Sequence, residues 1–594
     1  MLNLSVKSPN HRICGRVISR LLLLSFGIFS ILSVHSEEQP LQGTPIDITG
    51  IEDQLLENVK AHLDVQDETL TFSTLGLPRS NEYILRKSIA ALQAFGYYRP
   101  TLDLTGDHRH WYLTIQPGPE TKWQSIDLKI KDTIVLPEAL SNLVNNLGLV
   151  SGQTVNHERY QTTKNKLLST ARHKGFLSAH FSTSQLIVAK DFTTADIHWV
   201  LELGPRYTIK SVQFSENKFS GDLLQSYVDI QQGDFYDADL LVKIQQQLNR
   251  SGFFESVGID QDIDDQHHTV AVTFDVLSRA KYELKTSLGY GTDSRGRIGV
   301  EWKDQQVNLE GHRYSIAAEA NSLSQSVAFI YRIPLQTPGS EWLGRASYQI
   351  KDDSIASSKI SSFESRWIIK QSDFWTQQFA ATIATEENSQ NATIESYLEY
   401  LVPSWQVDYY STRDPFRAEK GFHWRSIVRM SDDVISDPTL DFWQWEQNLK
   451  WIQPMSEHWR FLSRTSVGLT IMKDQDFINN MPTSYRFFAG GDTSVRGYAY
   501  QTLGPTNNLD EVIGGKYLFT QSLEVDWQFK DNWRWAWFVD AGNAFSSDTN
   551  QSLYKSVGTG IRWVTPVGSV RLDVAKALDL TEEWRWHITI GPDL

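Results

Sequence analysis

The stretch YLFTQSLEVDWQFK, Tyr517–Lys530, repeats with a period of two. Tyr517, Phe519, Leu523, Val525, Trp527 and Phe529 share one face, and Thr520, Ser522, Glu524, Asp526, Gln528 and Lys530 share the other. Alternation of this kind belongs to a strand with one apolar and one polar side. The next segment, WRWAWFVDAG over Trp533–Gly542, keeps the pattern, with Trp533, Trp535, Trp537 and Val539 opposing Phe538, Asp540 and Gly542.

The same period runs outward from there, from about Lys281 to the C-terminus. Tyr282, Leu284, Thr286, Leu288 and Tyr290 alternate with Glu283, Lys285, Ser287 and Gly289, and Trp584, Trp586, Ile588 and Ile590 oppose Arg585, His587 and Thr589. A soluble sandwich also alternates, but here tryptophans mark strand ends, as an apolar band between aromatic girdles requires. The chain has 20 Trp, 22 Tyr and 28 Phe, concentrated in this half. At roughly 20 residues per strand and loop, residues 280–594 predict an all-β, 16-stranded antiparallel transmembrane β-barrel, closed so that every backbone donor and acceptor is satisfied in lipid.

The start of the chain predicts export. Lys7, Arg12, Arg16 and Arg20 precede the apolar run Leu21–Val34, and small residues close residues 1–36 as a signal peptide. That run is short of the roughly 20 residues a membrane helix needs. The single cysteine, Cys14, falls inside the leader, so the exported chain is expected to lack thiols and disulfides. A net charge of −15 argues against a nucleic-acid partner.

Between leader and barrel the sequence repeats three times. Tyr83–Tyr97, Asn156–Phe176 and Tyr236–Phe253 are helical and close on Gly96-Tyr97, Gly175-Phe176 and Gly252-Phe253. Each glycine suits the left-handed residue that ends a helix, and the following aromatic packs back on the last turn. Asn156 and Asp237 are predicted N-caps. A first helix (Gln54–Leu63, Pro137–Leu147, Gly221–Val228) and flanking strands complete three α+β units of order β-α-α-β-β, at 37–119, 120–205 and 206–279.

There is no P-loop, H-E-x-x-H or G-x-S-x-G, and Asp260–Asp264 lacks the glycine and the terminal glutamate of a calcium loop. The expectation is a protein that is not an enzyme and takes no metal and no cofactor.

What remains is a set of charges. Parity turns Glu524, Phe538, Asp540 and Gly542 toward the barrel lumen, where two carboxylates on adjacent strands need a cation. The long loop upstream, Met472 to Lys516, offers Arg496. Folded inward, that loop brings the guanidinium to Asp540 or Glu524, with Gly497 letting the backbone approach the wall and Tyr498 and Phe538 stacking beside the pair.

These residues carry a resemblance. Val495-Arg496-Gly497-Tyr498 resembles the V-R-G-[FY] signature in the sixth external loop of the BamA/TamA outer-membrane assembly superfamily. Phe538-Val539-Asp540-Ala541-Gly542 and Ser522-Leu523-Glu524 resemble its F-x-D-x-G and S-x-E strand motifs, and Thr412-Arg413-Asp414-Pro415, followed by Gly421, resembles a further turn motif imperfectly. The three repeats look like periplasmic POTRA domains, and three ahead of a 16-stranded barrel is similar to the TamA branch. The chain departs from the usual terminal phenylalanine by ending Gly591-Pro592-Asp593-Leu594, and Pro592 cannot donate to a ladder.

The resemblance implies a bacterial outer-membrane protein that assembles and inserts other β-barrel proteins such as autotransporters. Its implied partners are unfolded outer-membrane protein clients, the lipid bilayer and a TamB-like subunit anchored in the inner membrane. It also implies a lateral seam between first and last barrel strands, at Leu284, Leu288 and Tyr290 on one side and Ile588, Ile590 and Gly591 on the other. The rival is a two-partner-secretion-type pore that exports a dedicated exoprotein.

Overall fold

The computed structural model describes residues 2–5 and 44–594, apart from short segments of at most six residues each. Most of the predicted leader, with Cys14 and the apolar run, lies outside the described residues, as do Arg413 and Pro592.

Three α+β units come first, each with its own core. In each, the first strand pairs in parallel with the last, and the last pairs antiparallel with the strand before it: Ile46 faces Trp111, Ile126 faces Ile197, and Val212 faces Val272. The second helices span Leu77–Ala94, His157–His173 and Ala238–Arg250. The Asn156 side chain accepts from the Arg159 N–H, and Asp237 accepts from the Asp239 and Leu240 N–H groups, so one orphan donor at the first of these helix starts and two at the second are satisfied by short polar caps. The first unit carries an extra hairpin, Val65–Gln66 with Thr69–Leu70, which extends its sheet to five strands. Two-residue strands are too short to leave a period in sequence.

The helix-ending glycines join the units. Gly96, Gly175 and Gly252 have φ of +87°, +97° and +82°. At the first joint the Gly96 carbonyl accepts the Thr121 N–H (3.0 Å), the Thr121 carbonyl accepts the Val155 N–H (2.9 Å), and a Cβ on Gly96 would lie 2.7 Å from the Val155 carbonyl oxygen. The second joint repeats this ring: Gly175 accepts from Tyr207 (2.8 Å), Tyr207 accepts from Tyr236 (2.9 Å), and a Cβ on Gly175 would lie 2.8 Å from the Tyr236 oxygen. The third joint meets the barrel. There Arg313 Nη1 donates to the Ser251 carbonyl (3.1 Å) and a Cβ on Gly252 would lie 2.6 Å from that nitrogen. Glycine is thus required twice at the first two joints, by backbone conformation and by space, and at the third by conformation alone, since the end of the Arg313 side chain can move aside.

The remaining chain is a 16-stranded antiparallel, nearly closed barrel. Its strands, labelled here in order, are β1 Tyr282–Gly291, β2 Arg295–Asp304, β3 Arg313–Ala320, β4 Ser324–Pro334, β5 Glu341–Asp352, β6 Ser357–Lys370, β7 Trp375–Gln390, β8 Ile394–Tyr410, β9 Gly421–Ser431, β10 Phe442–Pro454, β11 Trp459–Ile471, β12 Tyr517–Lys530, β13 Trp533–Phe545, β14 Tyr554–Thr565, β15 Gly568–Ala577 and β16 Trp584–Gly591. Each pairs with its neighbour in sequence. Trp535, Trp537 and Val539 are exposed on the outer face, while Phe538 and Asp540 are buried inside. At the rim nearest the N-terminal units Trp533 stacks on Trp563 (5.9 Å) and Trp459 on Trp527 (6.1 Å), forming part of an aromatic girdle. The third unit docks on the same rim, where Ser220 N–H donates to Leu309 and Arg250 pairs with Asp373 at 3.0 Å.

The ladder has two ends. β1 and β16 approach within 8 Å but no ladder joins them. The free edge of β1 instead takes an antiparallel strand from Leu2–Ser5, with Leu2 opposite Leu288 and Ser5 opposite Lys285. Beyond β16, Asp593 and Leu594 turn inward. Asp593 accepts from Arg571 (2.7 Å), and Leu594 is buried with Ala418, Ile452 and Leu462.

Candidate functional site

The 472–516 loop between β11 and β12 folds into the barrel and is fastened to opposite walls. At its midpoint Arg496 is 2 % exposed and Asp540 0 %. Asp540, on β13, accepts from Arg496 Nε (2.7 Å), from Nη2 (2.9 Å) and from the Arg496 backbone N–H (3.1 Å). Nη1 donates to Glu524 of β12 and Asp573 of β15, both at 3.1 Å, and Nη2 donates to Ser522 at 3.0 Å. The Phe538 ring lies 3.3 Å from the guanidinium carbon, capping its face. Arg562 on β14 bridges Glu524 and Asp573 from the other side. One planar cation with five donors therefore ties three strands, which a lysine could not do, and Arg562 brings in the fourth.

The two residues after Arg496 complete the contact. Gly497 has φ +95°, and a Cβ there would lie 3.0 Å from the Ala577 nitrogen, so its backbone rests against β15. Its N–H donates to His587 Nε2 on β16 (3.1 Å), and His587 Nδ1 bonds Asp492 of the same loop. The donor at Gly497 fixes the tautomer: Nε2 accepts, so Nδ1 carries the proton toward Asp492. Tyr498 departs from expectation. It does not stack beside Phe538 but meets Tyr554 edge-on (5.6 Å) and donates to Asp579 (2.9 Å), because the left-handed Gly497 turns the chain away from the pair. Gly542 lies opposite Thr520, where a Cβ would be 2.7 Å from the Phe519 oxygen.

A second attachment lies across the lumen. Glu386 of β7 is fully buried, and the charge of Arg486 in the loop acts on it. It accepts from the Thr483 N–H (2.9 Å), Ser484 hydroxyl (2.8 Å), Asn388 (2.9 Å) and Tyr400 (3.2 Å). Four donors satisfy a carboxylate that would otherwise carry a large desolvation cost. Apolar packing of Phe477 and Met481 against Leu440 and Phe442 supports it. The loop is thus a strap across the barrel, held by charge at one end and by hydrogen bonds at the other.

Sequence reasoning gave no role to Asp573, Arg562, Asp492, His587 or Glu386. His587 and Asp573 carry inward parity, which was a usable signal, but parity gives a face and not a height along the wall. A further cluster escaped for the same reason: Arg460 pairs with Asp526 (2.6 Å), and Arg534 pairs with Asp526 (3.0 Å) and Glu419 (2.9 Å). Of the seam residues, Leu284, Leu288, Tyr290 and Ile590 are exposed on the outer face, and nothing lies within 4 Å of a Cβ built on Gly591.

Residues 211–593 match the family model described as the Omp85 superfamily domain, and residues 45–116 match that described as POTRA domain TamA domain 1. The outer membrane protein assembly factor BamA of Nitratidesulfovibrio vulgaris is 22% identical over 420 residues, covering 66% of this chain and 51% of that protein. The chain thus spans about half the length of the curated relative it matches. Among solved structures, BamA from Haemophilus ducreyi lacking POTRA domains 1-3 superposes with a TM-score of 0.62 at 16% identity, covering 80% of this chain and 99% of that one. CdiB from Escherichia coli gives 0.45 at 11% identity, covering 80% and 91%.

Proposed function

The chain belongs to the Omp85 superfamily, and on that premise we propose that it assists the assembly and insertion of other outer-membrane β-barrel proteins, autotransporters among them. It is an outer-membrane β-barrel with N-terminal POTRA-type modules. The observation that supports an insertase is the unjoined pair β1 and β16. Each ladder bond left unmade forgoes about 0.5–1.5 kcal/mol net, so opening there costs far less than opening any other strand pair. The outer membrane offers no nucleotide, and the work comes from binding and from lipid deformation at that seam. An extended client strand adds to the free edge of β1 by β-augmentation.

The strap has a part in this reading. By tying β12 to β15 through Arg496 and β16 through His587, it holds the last five strands together, so that movement is confined to the seam. The POTRA edge strands, Thr101–Asp107, His180–Val188 and Phe254–Asp264, present unpaired backbone to extended clients or to a TamB-like partner anchored in the inner membrane. No catalytic step is involved. The rival, a pore exporting a dedicated exoprotein, calls for a wide lumen and large single-channel conductance. A strap fastened at Arg496 and Glu386 favours the insertase.

The test places one cysteine in Tyr282–Gly291 and one in Trp584–Gly591. A disulfide that locks the seam should stop client assembly, and reduction should restore it. Assembly at the unlocked rate while the seam stays locked would sink the proposal.

A further inference from the structure

Beneath the strap lies a lumenal chamber of about 410 Å³, roofed by Asp492 and Thr493 and walled by β10, β11, β12, β15 and β16. Around this half of the lumen the arginines are paired: Arg460, Arg496, Arg534, Arg562 and Arg571 each have a carboxylate within hydrogen-bond distance. Lys450 and Arg464 are the exceptions. Among the described residues Lys450 makes neither a hydrogen bond nor an ion pair, and Arg464 makes one long bond, Nη2 to Ser522 Oγ at 3.4 Å. The two stand directly opposite one another in the β10–β11 register, on the inner face. Like charges in that position repel and destabilise a strand pair. Both line the chamber with Arg571, and the carboxylates that also line it are already engaged, Glu524 and Asp573 by Arg496 and Arg562, Asp593 by Arg571 and Asp492 by His587.

We propose that this chamber is a binding site for a phosphate group, free or carried on a lipid headgroup. A guanidinium fork beside a lysine point charge suits a tetrahedral oxyanion. Its volume falls within the range of small-ligand sites, enough for the phosphate and part of the molecule that bears it. Asp593 already occupies one side by pairing with Arg571, so the ligand sits toward Lys450 and Arg464. The chamber also touches Thr589–Gly591 of β16, which puts it next to the seam and within reach of the bilayer.

The experiment uses full-length protein in a non-ionic detergent, with thermal unfolding compared in inorganic phosphate and in chloride at equal ionic strength and pH. Phosphate should raise the Tm of the wild type by a few degrees, and the rise should vanish in Lys450→Gln and in Arg464→Gln. In chloride alone, Lys450→Gln should unfold at a higher temperature than wild type because the like-charge pair is relieved; a lysine with a structural role would lower it. Arg345→Gln, in a separate lumenal cavity, keeps the phosphate response. Native mass spectrometry of protein from micelles doped with phosphatidic acid separates the two sources. Lipid retained by wild type and lost from both variants assigns a headgroup, whereas a phosphate response without lipid retention assigns a free phosphate. No phosphate response in the wild type, or one that persists in both variants, overturns the site. Client assembly does not enter either readout, so the outcome is independent of the insertase proposal.

Discussion

Replacing Arg496 by alanine removes the whole side-chain part of the charged fastening, and its effect can be worked from the contacts. Glu524 and Asp573 keep Arg562, but Asp540 loses Nε and Nη2 at once and is left fully buried with the residue-496 N–H, the Ser522 hydroxyl and the more distant charge of Arg464. Removing one partner from a buried ion pair costs about 3–5 kcal/mol. At about 1.4 kcal/mol per tenfold, docked over undocked loop falls by two to nearly four orders of magnitude. The strands keep their ladders, so the barrel stays inserted and heat-modifiable on gels. The loop becomes sensitive to protease within 472–516, and client assembly drops. Because most of the cost comes from the stranded carboxylate, Asp540→Asn added to Arg496→Ala should recover about 2 kcal/mol or more of it. Urea unfolding in vesicles, run as a double-mutant cycle, measures that coupling. Additive effects to within about 0.5 kcal/mol would refute a direct pair, and wild-type client assembly by Arg496→Ala would refute its part in function.

Four further outcomes follow from the contacts described. His587→Ala should release β16 from the strap while leaving Arg496 docked, read as faster disulfide exchange between β1 and β16 cysteines with unchanged protection of the loop midpoint. Glu386→Gln should expose residues 477–485 to protease without moving Arg496, since it weakens the attachment on the far wall alone. Gly175→Ala should loosen the second joint by about 1–2 kcal/mol from the left-handed backbone, with the clash in addition, seen as new proteolysis between the second and third modules. The fourth concerns pH. Tyr98 Oη and His157 Nε2 are 2.6 Å apart between the first two modules; burial pushes the tyrosine up to about 12 and holds the histidine below 6.5. A base with a depressed folded value leaves the junction at full strength above 6.5 and weakens it as pH falls through that lower value, so interdomain energy transfer should change on acidification to about pH 5 and His157→Gln should flatten the response.

Much of the architecture could be read before any coordinates, because it is written in short periods. Period two located the barrel, and helix, glycine and aromatic in succession located the modules. Parity turned Glu524 and Asp540 to one face and the long loop upstream offered Arg496, whose guanidinium lies within 3.1 Å of both carboxylates. The parts that escaped share a cause. Asp573 and His587 are far from Arg496 in sequence, and how high each stands along the wall depends on register accumulated over several hairpins. Glu386 belongs to the opposite wall, which no local pattern connects to the loop. Tyr498 was misplaced because a loop has no period: one left-handed glycine redirected it toward Tyr554 and Asp579.

The two matching joints among the modules bear on how such a chain can change length. A ring made by a glycine carbonyl, the N–H before the next first strand and the N–H before the next second helix depends on backbone atoms and on one missing Cβ. The socket at Gly96 and the socket at Gly175 are therefore interchangeable. Excising one whole module between equivalent points, or duplicating one, keeps the backbone ring at each surviving joint and changes only the side-chain pair across it, Tyr98 with His157 or Lys174 with Asp237. Reach across the periplasm is then counted in modules, and it can lengthen or shorten in whole steps without any change to the barrel that receives the last of them.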